Sequence, residues 1–175
     1  SDLNQIVAFA RDVKKGSSLS QKGVLVRQAD YNDKASLITA LQGVDKLLLI
    51  SSSEVGKRTI QHRNVIEAAK SADVQFIAYT SILHADRSPL SLHVEHVETE
   101  KMLADSGISY TLLRNGWYTE NYLASVPAAI EHGVFLGAAG DGKIASATRA
   151  DYALAAARVI SEEGHIGKVY RSEEH

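Results

Sequence analysis

The sequence predicts an α/β protein: a doubly wound parallel sheet with helices on both faces. Three observations carry that prediction. Short apolar runs show no alternation, as parallel strands do when both faces are covered. Longer amphipathic stretches of helical period separate these runs, and such strand–helix–strand alternation means βαβ units. One run, "DKLLLIS" (45–51), opens without Gly or Pro onto Ser51, Ser52 and Ser53. Small hydroxyl residues at a strand's carboxyl end leave room for a ligand, because open α/β sheets bind outside those ends.

The first strand is "QIVAFA" (5–10) and the second "GVLVRQ" (23–28). A helix over 33–43 then places Leu37, Ala40 and Leu41 on one face and stops at Gly43. The strand at 45–51 leads into a helix over 56–72, where the period brings Ile60, Ile66 and Ala69 to similar faces. "VQFIAYTS" (74–81) is the next strand. The helix over 91–107 aligns Val94, Val97 and Leu103, and Gly107 suits the residue just past its end. "ISYTLLRN" (108–115) is again a strand. Beyond it the pattern loosens: a small hairpin over 133–148 with Asp141-Gly142 at its turn, an Ala-rich helix over 149–164, and a last strand over 167–171. No linker, repeat or low-complexity stretch divides residues 1–175, which read as one domain, with 133–175 leading toward a substrate-binding part.

The 175 residues suffice for one core, and 45% hydrophobic with 23% charged residues is an ordinary globular balance. A net charge of -2 gives nucleic acid or an anionic membrane no positive field to bind. The chain has no cysteine, which removes disulfides, thiol catalysis and Cys-ligated zinc and fits a reducing, cytoplasmic setting. No apolar run approaches the roughly 18 residues of a membrane span, and no signal peptide pattern is visible. No G-x-S-x-G elbow supports a hydrolase. His93, His96 and Glu100 share a helix at ligand-like spacing, but no H-E-x-x-H or further partner supports a metal site.

The segment "DSGISYTLLRNGWYTENYL" (105–123) resembles the NmrA-like branch of the atypical short-chain dehydrogenase/reductases. "ARD" after the first strand, "RQADYND" after the second, "LQGVDKLLLISSS", "QHRNVIEAAKSADVQFIAYTS" and "ATRADYALAAARVI" agree with it in order. The likeness covers nearly the whole chain and lies nearest the quinone-reducing members of the branch. It implies a Rossmann-like fold, NADP(H) as cofactor, and NADPH-dependent reduction of a quinone by hydride transfer, with an oligomer allowed. The same branch contains non-catalytic NADP(H)-sensing regulators, and an inactive fragment is a third reading.

On this resemblance the visible chain begins at the family's second strand. No G-x-G-x-x-G or G-x-x-G-x-x-G occurs, so the central first strand and its glycine turn are expected to be absent. The sheet should then be interrupted between the strands at 5–10 and 47–50.

The resemblance also assigns residues. Arg11 follows the first strand, where an Arg accommodates a 2′-phosphate in place of the acidic residue of NAD-specific folds. An exposed Arg at a strand end is the alternative. Asp30, after the second strand, touches adenine in related reductases, or else it forms a turn or helix cap with Asn32 and Asp33. Ser51, Ser52 and Ser53 lie along the cofactor. Asn115, Gly116, Trp117, Tyr118, Thr119 and Glu120 lie at its nicotinamide end, where Trp117 and Tyr118 either line a planar apolar pocket or are core aromatics.

No catalytic residue is assigned. Ser81 stands where short-chain reductases with a full catalytic set keep a Ser, after Thr80. His96 and Glu100 stand where the family keeps Lys-x-x-x-Glu, and Leu92 where those enzymes place a Tyr. With Tyr and Lys both missing, carbonyl chemistry lacks its phenol donor. Ser81, His96 and Tyr118 remain the candidates.

Overall fold

The computed structural model describes residues 2–88, 91–138 and 140–172. Strand β1 (Val7–Ala10) leads through a short helix α1 (Ser17–Ser20) to β2 (Leu25–Gln28). There follow α2 (Lys34–Ala40), β3 (Lys46–Leu49), α3 (Arg58–Ser71), β4 (Phe76–Ile82), α4 (His93–Ser106) and β5 (Ser109–Asn115). The chain continues through β6 (Trp117–Tyr118), α5 (Val126–His132), β7 (Ser146–Ala147), α6 (Arg149–Ser161) and β8 (Val169–Arg171). Every strand pair among the described residues is parallel.

The strands form three sheets: β1-β2, β3-β4-β5-β8 and β6-β7. No ladder joins β1 to β3, so the interruption expected between them is present. Their carboxyl ends are nevertheless tied together. The Tyr31 hydroxyl donates to the Ile50 carbonyl at 3.0 Å, and the Arg11 guanidinium lies 3.5 Å from the Glu54 carboxylate.

β4 shows why the apolar runs lack alternation. Ile77 and Tyr79 point into a core shared with Leu37 of α2, Leu41 just past its end, Val65 and Ala69 of α3, and Leu103 of α4. Phe76 and Ala78 point the other way, against Ala156 and Val159 of α6. Helices thus cover both faces. Burying side chains such as Leu49, Ile77 and Leu103 stabilises the fold by about 1.5–3 kcal/mol each.

Local chemistry sets the helix ends. Asp33 caps α2, its carboxylate accepting from the Ala35 and Ser36 N–H groups. α4 stops at Gly107, whose φ of 80° is strained for any residue with a Cβ. Thr148 and Asp151 form a reciprocal capping box at the start of α6.

Two expectations are corrected. Leu37, Ala40 and Leu41 are buried as the period implies, but Ile60, Val94 and Val97 are exposed. Ile66, Ala69 and Leu103 are buried as expected, and beside them the inward faces of α3 and α4 carry Arg58, Gln61, His62, His96 and Thr99. These two helices pack on each other through a polar network, which apolar periodicity cannot register. The hairpin expected over 133–148 is not formed among the described residues, and Ala139 within it lies outside them. Ser146 and Ala147 pair in parallel with Trp117 and Tyr118, because the segment closes on the strand end after β5 rather than on itself.

Candidate functional site

The carboxyl ends of β1, β3, β4 and β5 carry most of the residues singled out in the sequence. At β1, Arg11 is exposed and lines an open cleft of about 670 Å³ with Gln28, Asp30 and Ser36. Arg27 also borders this cleft, but its guanidinium is held by the Ala40 and Gln42 carbonyls at 2.7 and 2.8 Å. Among the described residues the Arg11 guanidinium has only the longer Glu54 contact, so its charge is available to an anion. Asp30 forms a turn with Asn32 and also lines the cleft. One carboxylate oxygen accepts from the backbone and side-chain N–H groups of Asn32 at 2.8 and 3.0 Å.

The serines after β3 are held from below. The Ser51 N–H donates to Thr80 Oγ1 at 2.8 Å. The Ser52 N–H donates to His62 Nε2 at 2.9 Å, and its carbonyl accepts from Arg58 Nε at 2.7 Å. Ser53 is exposed. Arg58 pairs with Glu95 of α4, 3.4 Å away. The other Glu95 oxygen accepts from the Gly56 and Arg58 N–H groups at 3.1 and 3.0 Å.

Beneath this loop lies a buried aromatic chain. His62 meets Tyr79 edge-on at 5.5 Å, and Tyr79 meets His96 at 6.0 Å. Burial, then the Arg58 charge, then His96 hold the His62 imidazole down at about 3. Burial and Arg58 hold His96 at about 4. Both rings are therefore neutral near pH 7. Burial also pushes the Tyr79 phenol up. The phenol keeps its proton, and its oxygen is hydrogen-bonded to His96 Nδ1 at 2.7 Å.

At the end of β4, Ser81 is 2% exposed. Its hydroxyl donates to Glu100 Oε1 at 2.6 Å. Glu100 is gripped bidentately by Arg114 at 3.0 and 2.7 Å, and Arg114 also reaches Asp86 at 3.1 Å. These hydrogen bonds and charges raise the Arg114 pKa further. Two of the three catalytic candidates, Ser81 and His96, thus sit below the strand ends with internal partners. Among the described residues no group of three His, Cys, Asp or Glu side chains could hold a metal ion.

The segment 115–120 wraps over the end of β5. The Asn115 carbonyl accepts from the Leu83 N–H at 2.8 Å. The Gly116 N–H donates to Ser172 Oγ at 2.7 Å and to the Tyr152 hydroxyl at 3.1 Å. A Cβ at this position would stand 3.1 Å from the Ala145 carbonyl and from Ser172 Oγ. Gly116→Ala is expected to destabilise the chain by about 1–3 kcal/mol through this overpacking; urea unfolding checks it, and a change below the error of the fit would refute the close approach.

Trp117 is 49% exposed and so is no core residue. Tyr118 is half-buried between the Tyr152 ring, 5.3 Å away, and the Arg149 guanidinium, 5.5 Å from its centroid. The Thr119 hydroxyl donates to Ser146 Oγ at 3.2 Å. Both carboxylate oxygens of Glu120 accept from the Arg149 N–H, at 2.9 and 3.0 Å, at the start of α6.

Sequence reasoning missed Arg58, His62, Glu95, Thr99, Arg114 and Tyr152. The signal available was the spacing: Arg58 with His62 and Glu95 with Thr99 each lie one helical turn apart, four residues on.

A parallel, doubly wound sheet with an anion-ready Arg and small hydroxyl residues at its carboxyl ends is a dinucleotide-binding domain. The chain belongs to the NAD(P)H-binding family, whose model matches residues 2–163. It is 75% identical over 167 residues to quinone oxidoreductase 2 of Escherichia coli (strain K12), a match covering 95% of this chain and 58% of that protein. An NmrA-like family domain-containing oxidoreductase of Aspergillus flavus is 33% identical over 185 residues, covering 95% of this chain and 56% of that one. The chain also matches the crystal structure of the Escherichia coli NADPH-dependent quinone oxidoreductase complexed with NADPH, with a TM-score of 0.94 and 74% identity. That match covers 97% of this chain and 60% of the other. The chain therefore spans about three-fifths of the length of these relatives. No helix among the described residues is long and apolar enough to cross a membrane.

Proposed function

We propose that this chain is the NADP(H)-binding part of an NADPH-dependent quinone reductase. The observation that carries the reading is the 75% identity to a quinone oxidoreductase along 95% of the chain. The strand-end chemistry supports it. Arg11, exposed beside a cleft, suits a 2′-phosphate, and Ser51, Ser52 and Ser53 suit a ribose or phosphate.

When bound, the nicotinamide supplies the hydride that reduces the quinone. The chain's own residues bind and orient. Arg11 fixes the phosphate end, the serine loop supports the middle, and residues 115–120 border the reacting end. Half-exposed Trp117 and Tyr118 offer a planar apolar surface to an aromatic substrate. Val134, Phe135, Leu136 and Ile144 are exposed, which supports assigning residues 133–175 to the substrate-facing part. A quinone needs no phenol donor of its own, since reduction yields a stabilised aromatic phenolate.

The sensor reading has one observation in its favour: the Ser81 and His96 hydrogen bonds are directed inward, to Glu100 and Tyr79. Turnover separates the two. NADPH oxidation with a simple benzoquinone is expected from the intact protein; NADPH binding without turnover would favour the sensor. Arg11→Glu is expected to weaken NADPH by tenfold or more, about 1.5–3 kcal/mol for a lost charged hydrogen bond, and NADH far less. Equal losses for both cofactors, measured as KM or Kd, would refute the role.

A further inference from the structure

The backbone of Ser52 is held on both sides by one helix. Its N–H and its carbonyl both end on α3 side chains, His62 and Arg58. Elsewhere in the sheet a strand neighbour makes such bonds, but Ser52 lies past the last ladder pair of β3. Side chains do here what a strand would do.

The hydrogen positions follow from the partners. The Ser52 N–H is a donor, so His62 Nε2 presents its lone pair. Thr99 Oγ1 lies 2.9 Å from His62 Nδ1 and donates its own proton to the Glu95 carbonyl at 2.7 Å. Thr99 is then the acceptor, and Nδ1 carries the proton. Only the neutral Nδ1–H tautomer satisfies every group. Arg58, on the same helix turn, is locked by Glu95, so α4 sets both contacts. His62 is fully buried. An apolar side chain of that size would fill the space without desolvating an imidazole. What it could not do is accept the Ser52 N–H.

We propose that His62, in its Nδ1–H tautomer, is a positioning residue for the cofactor: with Arg58 it fixes the Ser52 peptide plane, and through it the direction in which the serines after β3 present their hydroxyl groups to the dinucleotide. The assignment rests on the NADP(H)-binding reading of that strand end. It makes α3 and α4 part of the cofactor site although neither helix need touch the cofactor.

The test has two arms. In the wild-type chain, 15N NMR of His62 at neutral pH is expected to show a protonated Nδ1 and a bare, hydrogen-bonded Nε2. The reverse tautomer, or an imidazolium, overturns the proposal without any variant. In the second arm NADPH affinity is titrated for His62→Leu and His62→Gln, and the Ser52 amide proton shift is followed. His62→Leu is expected to weaken NADPH about tenfold, the equivalent of one lost hydrogen bond, and to move the Ser52 amide shift upfield. In His62→Gln a side-chain carbonyl can accept the same N–H, so both readouts should return most of the way. A folded His62→Leu chain with wild-type NADPH affinity, or no recovery in His62→Gln, overturns the positioning role. Should His62→Leu not fold, Thr99→Val replaces it and is expected to shift the tautomer balance and weaken NADPH several-fold; wild-type affinity there counts against the proposal. A wild-type chain that binds no NADPH overturns the cofactor reading, and the positioning role with it; the tautomer and the Ser52 shift still report the clamp itself.

Discussion

Glu100→Ala is expected to lower folding stability by about 3–5 kcal/mol, the range for removing one partner of a buried ion pair. Glu100 and Arg114 have side chains only 12% and 11% exposed, and their contact is bidentate. The substitution leaves the Arg114 guanidinium with Asp86, whose side chain is 62% exposed and whose attraction is screened by water. It also takes from the Ser81 hydroxyl its acceptor. Replacing both partners by methionine, which fills similar volume without charge, should restore much of the loss, because the penalty lies in the orphaned charge. Urea denaturation of the two variants beside wild type decides this. A single-variant loss below about 1 kcal/mol would mean that water or Asp86 already satisfies Arg114.

The second large effect is a loss of stability in mild acid. His62 and His96 are held at about 3 and about 4, against about 6.5 for an unperturbed imidazole. Below pH 6.5 the unfolded chain takes up protons that the folded chain refuses. The stabilisation is therefore complete above about pH 6.5 and is lost as pH falls toward the folded values. Each group changes the unfolding free energy by at most about 1.4 kcal/mol per pH unit, so at pH 5 each should have cost about 2 kcal/mol. His62→Gln removes one of the two titrations. Between pH 7 and pH 5 wild type is expected to lose about 2 kcal/mol more than this variant; equal losses would show that His62 is already solvated or protonated in the fold.

Much of the fold was legible because burial on two faces leaves a mark that composition alone does not. Leu47 and Leu49 face one helical layer and Leu48 the other, so the run could not alternate. The interruption beside β3 was legible only through the resemblance, which supplied the strand order that the residues themselves do not state. The helix faces were misread for the opposite reason. Ile60, Val94 and Val97 satisfy an apolar period but face outward. Gln61, His62, His96 and Thr99 satisfy no apolar period, yet they are buried, because each except Gln61 Oε1 meets a hydrogen-bond partner there.

The candidate site divides in the same way. That Ser51, Ser52, Ser53, Thr80, Ser81 and the segment from Asn115 to Glu120 stand at strand ends followed from the order of elements along the chain. Which of them are hydrogen-bonded within the fold did not. Ser81 and Glu120 turned out to be bound within the fold, to Glu100 and to the start of α6, while Arg11 stayed open beside a cleft. The sequence by itself determined the parallel α/β architecture and the segments at its carboxyl edge, since those depend on periodicity and on the order of elements, while the cofactor class came from the resemblance to a family. Only the tertiary structure decided the clamp on Ser52, the tautomer of His62 and the Glu100–Arg114 pair. Those contacts join α3 to α4 and α4 to β5, and a hydrogen bond depends on distances of a few tenths of an ångström between residues that the linear order keeps far apart.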